Sequence, residues 1–168
     1  WEEKEIVQIG AAILNLNDLM EVGAINLFIR PVLNPQLSDY FTQLTGITQQ
    51  QVDDNGIGLE TGIRDFKEFV GDRTAYSWGG DRRVINQNLN LRGIRGLKLP
   101  RDQYLDIRSW AVKNGIPADF NSGELAGHYN LLDQLPDSGE DNHNALHDAR
   151  SILVTIRHLI KNGAEFPA

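Results

Sequence analysis

The apolar positions along this chain change period several times, and each change marks a boundary between elements. Ile6 to Leu16 is an apolar run that ends in the polar stretch Asn15-Leu16-Asn17-Asp18, and Glu21 to Val32 resumes with β-favouring residues before Pro31 and Pro35. Two such runs around a polar turn predict a hairpin. From Leu37 to Val52 the spacing becomes helical but breaks at Gly46, which predicts two short helices across a bend. Leu59, Ile63, Phe66 and Val70 recur at helical spacing and Gly71 follows, so a helix is expected over Leu59 to Val70.

Arg73 to Trp78 reads as a short buried strand leading through Gly79-Gly80-Asp81 into a helix that carries Val84, Ile85 and Leu89. Tyr104 to Ile107 is a further strand, Ser109 to Asn114 a helix closed by Gly115 and Pro117, and Ser122 to Leu131 a helix with Ser122 as its N-cap. The final helix is the most regular: Ala145, Ala149, Ile152, Leu153, Ile156, Leu159 and Ile160 form one apolar stripe that ends at Asn162-Gly163. These elements make one α/β domain over residues 1–168, antiparallel early and helical later, with no repeat or low-complexity tract.

Composition narrows the chemistry. The chain has no cysteine, so thiolate zinc sites, disulfides and cysteine nucleophiles are excluded, and any metal must sit on oxygen or imidazole. The same absence is compatible with a reducing, cytoplasmic setting. A net charge of −7 argues against coating nucleic acid through a broad basic field, but not against gripping one strand end. One local basic stretch runs from Arg82 to Arg101 with no acid between its ends; it is either a phosphate grip or a solvated helix and loop. No segment approaches the roughly 18 apolar residues of a membrane span, and no membrane association is expected.

Three places combine chemistry with position. At about 100° per residue, Asp148 falls within roughly 40° of Ile152 and Leu159, at the edge of the buried stripe. It serves either the helix start or a ligand. His143, in the polar segment that leads into this helix, is surface decoration or a candidate base; His147 falls on the polar face. Asp81 follows a strand and two glycines, where ligands commonly lie, but would equally serve as an N-cap. Tyr40-Phe-Thr-Gln-Leu-Thr-Gly-Ile47-Thr is a bend in which Phe41 and Leu44 could pinch a base or simply pack.

In this order, Glu5-Ile-Val-Gln-Ile-Gly-Ala-Ala, Phe41-Thr-Gln-Leu-Thr-Gly-Ile-Thr, Ser77-Trp-Gly-Gly-Asp81 and His143-Asn-Ala-Leu-His-Asp148-Ala resemble segments of the DEDD superfamily of 3′→5′ exonucleases, in its proofreading, RNase T and Eri-type subgroup with a catalytic histidine. The resemblance implies a ribonuclease H-like mixed sheet flanked by helices and removal of nucleoside monophosphates from single-stranded RNA or DNA 3′ ends, RNA being favoured. It implies two divalent cations, Mg²⁺ or Mn²⁺, with Asp81 and Asp148 as ligands, His143 as the base, and Phe41, Leu44, Thr45 and Trp78 on the substrate side. The family's first motif, Asp-x-Glu on the central strand, has no counterpart here. The domain is therefore expected to be incomplete at its N-terminus and, as written, impaired in hydrolysis; Glu2, Glu3 and Glu5 are not taken as substitutes. The competing expectation is a degenerate nuclease fold that binds strand ends or a protein without cutting.

Overall fold

The computed structural model describes residues 4–136 and 144–167. Strands β1 (Gln8–Asn15) and β2 (Met20–Phe28) form the expected antiparallel hairpin, with a register shift between Ile13 and Leu14. Helices α1 (Asp39–Thr45) and α2 (Gln49–Asn55) follow, separated by Gly46 at φ +71°, a left-handed turn that glycine adopts without steric cost. Helix α3 (Leu59–Val70) has the predicted bounds, and its stripe of Leu59, Ile63, Phe66 and Val70 is buried.

Strand β3 (Ala75–Ser77) leads into α4 (Asp81–Leu91) and pairs in parallel with β4 (Tyr104–Asp106), Ala75 opposite Tyr104 and Ser77 opposite Asp106. Helix α5 (Arg108–Lys113) and a short α6 (Leu125–His128) precede α7 (Ala145–Lys161), which lies along β1. Among the described residues the strands stand as two pairs, one antiparallel and one parallel. One core cluster joins Ile9 and Ile29 to Ile63, Phe66, Ile85, Leu89 and Leu99; another joins Trp78 and Ile107 to Leu125, Ile156 and Leu159.

Between the two pairs runs a cleft of about 710 Å³. Every residue from Gln8 to Leu14 and every residue from Thr74 to Trp78 lines it. Side chains of a strand alternate between faces, so an unbroken run of lining residues means that the cleft meets β1 and β3 along their edges. Phe66 and Val70 of α3, Val84 and Ile85 of α4, and Ile152 and Ile156 of α7 complete its walls.

One expected element is corrected. The segment from Ser122 is not a single helix to Leu131 but a 3₁₀ turn (Ser122–Glu124) and the single turn of α6, ending near Asn130 at φ +55°. Its N-cap is Asn121, whose backbone N–H donates to Glu124 Oε2 at 3.0 Å. Ser122 is released from capping because its hydroxyl donates to Asp148 Oδ2 at 3.0 Å.

Candidate active site

The first turn of α7 is fixed to β1 by two devices. Asn144, the N-cap, accepts from the backbone N–H of Leu146, and the Ala145 N–H donates to Gln8 Oε1 at 2.8 Å. Gly10 faces the same turn, where a Cβ would overlap the backbone of Ala145 and Leu146, so only glycine lets helix and strand approach this closely. Asp148, one turn further on, is half-buried at the cleft wall. Its carboxylate is held by Ser122, a partner that sequence periodicity could not supply because it lies 26 residues away.

Asp81 reaches the same cleft from the opposite sheet. The sequence left open that it caps α4. The structure shows Gly80 in the cap position with no side-chain cap bond, which leaves Asp81 as the first helical residue. Gly79 before it sits at φ +106°, so the turn requires glycine for its conformation, and the end of the Arg108 side chain lies beside it. Asp81 meets water in the cleft while protein crowds its remaining sides. Burial is the largest influence pushing its carboxyl above the usual carboxylate range, the charges of Asp106 and Asp148 push the same way, and Arg108 opposes them.

Asp106 and Arg108 escaped the sequence reading. Asp106 ends the strand parallel to the one that delivers Asp81, and its Oδ1 accepts from Gly79 N (3.0 Å) and Arg108 N (2.9 Å). An acid at the end of a predicted strand was the available signal. Arg108 stacks over the Trp78 ring at 5.6 Å, and nothing in the local sequence marked it.

The substrate-side candidates divide. Trp78 lines the cleft but is buried in a core cluster, its indole N–H donating to the Phe120 carbonyl at 2.9 Å. Phe41, Leu44 and Thr45 lie on α1, and none of them lines the cleft. Phe41 packs against a small core of Val7, Ile47 and Val52, and Thr45 spends its hydroxyl on Phe41 O and Ile47 N; Leu44 stays exposed. His143 lies outside the described residues, and His147 is half-buried in the first half of α7.

The donor set suits a hard cation. Asp81 and Asp148 would offer carboxylate oxygens to a divalent ion, which would relieve the repulsion of Asp148 on Asp81, and Mg²⁺ is commonly held by one or two carboxylates with water and phosphate in its other positions. Among the described residues, no group of three acidic, histidine or cysteine side chains is placed to hold an ion. The two carboxylates therefore fit one ion shared with a phosphate.

The domain is thus an α/β fold in which two acids, Asp81 and Asp148, stand on an otherwise largely apolar cleft between a hairpin and a parallel strand pair. A family model described as exonuclease, of the RNase T type, matches residues 2–154, and the chain belongs to this family of DEDD-type 3′→5′ exonucleases. It is 39% identical over 70 residues to the 3′-5′ exonuclease Snipper of Drosophila melanogaster, covering 42% of this chain and 25% of that protein. It is 36% identical over 67 residues to ERI1 exoribonuclease 2 of Xenopus laevis, covering 40% of this chain and 10% of that protein. These matches thus span a quarter or less of the curated relatives. The nuclease domain of 3′hExo, a DEDDh family member solved with rAMP bound, superposes with a TM-score of 0.77 at 20% identity, over 97% of this chain and 84% of that one. The fold is ribonuclease H-like.

Proposed function

We propose that this chain is the catalytic domain of a metal-dependent exonuclease that removes nucleoside monophosphates stepwise from single-stranded 3′ ends, with RNA as its substrate. The observation that carries this reading is the convergence of Asp81 and Asp148, from opposite sides of one cleft, close enough for the charge of Asp148 to act on Asp81. Acids are seldom gathered against their mutual repulsion without a cation to neutralise them. RNA is favoured because one relative is named an exoribonuclease and the 3′hExo nuclease domain was solved with a ribonucleotide.

In this reading Asp81 and Asp148 hold a divalent ion, Mg²⁺ or Mn²⁺, and orient the terminal phosphate. Ser122 fixes the Asp148 carboxylate, while Asp106 and Arg108 fix the Gly79 turn that delivers Asp81. When bound, such an ion would supply charge stabilisation at the reacting phosphate. His143, placed by resemblance five residues before Asp148, takes the proton of the attacking water.

A second reading, a module that binds strand ends without cutting, draws on the absence of a three-ligand metal group among the described residues. Incubation with 5′-labelled single-stranded RNA and matched DNA, in Mg²⁺ or Mn²⁺, separates the two. A one-nucleotide ladder that Asp81→Ala, Asp148→Ala and His143→Ala each abolish is the expected result. Tight binding by the parent chain with no ladder in either ion establishes the binding module instead.

A further inference from the structure

The loop after α4, Arg92-Gly-Ile-Arg-Gly-Leu-Lys98, is left unexplained by the cleft chemistry. We propose that it is a second nucleic-acid contact, a phosphate-backbone exosite that holds the strand several nucleotides upstream of the 3′ end. The inference rests on the exonuclease reading for its substrate and on separate observations for its place.

The first observation is charge. In a chain of net charge −7, the segment between Asp81 and Asp102 carries Arg82, Arg83, Arg92, Arg95, Lys98 and Arg101 and no acid at all. Two of these cations are committed: Arg92 pairs with Glu5 at 3.2 Å, and Arg82 donates to the Leu99 carbonyl. Arg95 and Lys98 are exposed, and neither enters an ion pair among the described residues. A solvated helix face ordinarily intersperses both signs.

The second observation is shape. Asn90, Gly93, Ile94, Arg95, Gly96 and Lys98 line a recess of about 470 Å³. Gly93 (φ +64°) and Gly96 (φ +82°) bracket Arg95, and open space lies where each Cβ would be, so the glycines serve the backbone path and leave the recess clear of side chains at those points. The loop is nevertheless fixed at its far end. Leu97 and Leu99 are buried, Asn86 donates to the Leu99 carbonyl at 3.0 Å and accepts from its N–H at 2.8 Å, and Leu99 itself lines the cleft. A concave, anchored, uncompensated cationic loop suits a polyanion, whose phosphates need charge and main-chain donors rather than a base pocket.

The third observation is reach. Helix α4 carries Asp81 at its start, and its last residue, Leu91, from which the loop leaves, lies about 15 Å away at 1.5 Å per residue; the loop then returns beside the helix, where the Leu99 carbonyl accepts from Arg82 and Asn86. A stacked strand advancing about 3.4 Å per nucleotide covers that distance in roughly five nucleotides. Strand length is therefore the variable that isolates this loop.

The test compares the parent chain with Arg95→Glu/Lys98→Glu, both surface positions, using a single-stranded RNA trimer and a 20-mer. The double variant is expected to raise KM for the 20-mer about tenfold at low salt, to leave the trimer unchanged, and to flatten the slope of log affinity against log salt by about 1.4, or about 0.7 per lost phosphate contact. Binding of the same oligonucleotides in EDTA reads the exosite without turnover. A 20-mer that binds parent and variant alike, or a loss equal for both lengths, overturns the proposal. A parent that binds the 20-mer through these residues but shortens neither oligonucleotide refutes the exonuclease reading and leaves the exosite standing.

Discussion

Two carboxylates of this domain, Glu5 and Asp81, are pulled in opposite directions by their surroundings. Burial works against the charge of Glu5, but the backbone N–H groups of Val32, Leu33 and Asn34 and the Arg92 guanidinium outweigh it and hold the carboxyl below its usual range. Around Asp81 burial also works against charge, and the nearest acids add to it; only Arg108 pulls back. One acid is therefore stabilised as an anion by the fold, and the other is held as an anion at a cost. The first pattern marks a structural clamp, joining the chain before β1 to the loop after β2. The second fits the proposed role of Asp81 beside a cation.

The contrast is broken most severely at the cleft. Asp81→Asn and Asp148→Asn are each expected to lower exonuclease turnover by a factor of about 100 or more, since metal-held charge stabilisation amounts to several kcal/mol. The same Asp81→Asn change should raise the melting temperature of the metal-free protein, because it removes a repelled charge. Retained turnover in either variant, followed on a 5′-labelled oligonucleotide, contradicts the assignment. A lower melting temperature for Asp81→Asn would place Asp81 beside Glu5 as a structural acid.

Glu5→Gln should act in the reverse sense. Its side chain is only 6% exposed, and removing the charge strips an ion pair and weakens three main-chain bonds, at a cost of about 2–3 kcal/mol. Calorimetry should show a melting temperature lower by roughly 6–10 °C. Because the folded carboxyl is depressed below its ordinary value of 4.5, its contribution is fully present above that value and is lost as pH falls through the folded one. The gap in stability between parent and variant is expected to be flat near neutrality and to close only below about pH 4.5. A gap that widens on acidification would mean that the clamp stabilises the protonated acid instead.

What could be read from the sequence follows the range of the forces involved. Helices α3 and α7 were legible because burial repeats every turn and Gly71 and Gly163 mark their ends. The hairpin and the two short helices around Gly46 were legible from alternation and turn chemistry. Asp81 and Asp148 stand out as acids at the starts of helices, but periodicity alone does not separate ligand from cap; the fold gives the cap positions to Gly80 and Asn144 and a partner, Ser122, to Asp148. Asp106 ends a strand that is legible in the sequence, but its partners, the main-chain N–H groups of Gly79 and Arg108, are brought to it only by the fold. Trp78 and Thr45 were read toward substrate because their exposure could not be seen, whereas the fold gives their polar atoms partners inside the protein.

The smallest expected effect is the most selective one. Ser122 was taken for a helix cap, a role whose loss costs stability and leaves chemistry alone. In the structure its hydroxyl instead donates to Asp148 Oδ2, and Asn121 occupies the cap position. Ser122→Ala should therefore leave the melting temperature almost unchanged while lowering turnover about fivefold, the effect of roughly 1 kcal/mol from one lost hydrogen bond to a ligand that must keep its orientation. With Asp148 in its proposed role beside the metal, the half-saturating Mg²⁺ concentration should rise along with the fall in turnover. Ser122→Thr keeps the hydroxyl and should restore both. If Ser122→Ala lowers the melting temperature and leaves the Mg²⁺ dependence untouched, Ser122 supports the turn before α6 and Asp148 is oriented by other groups.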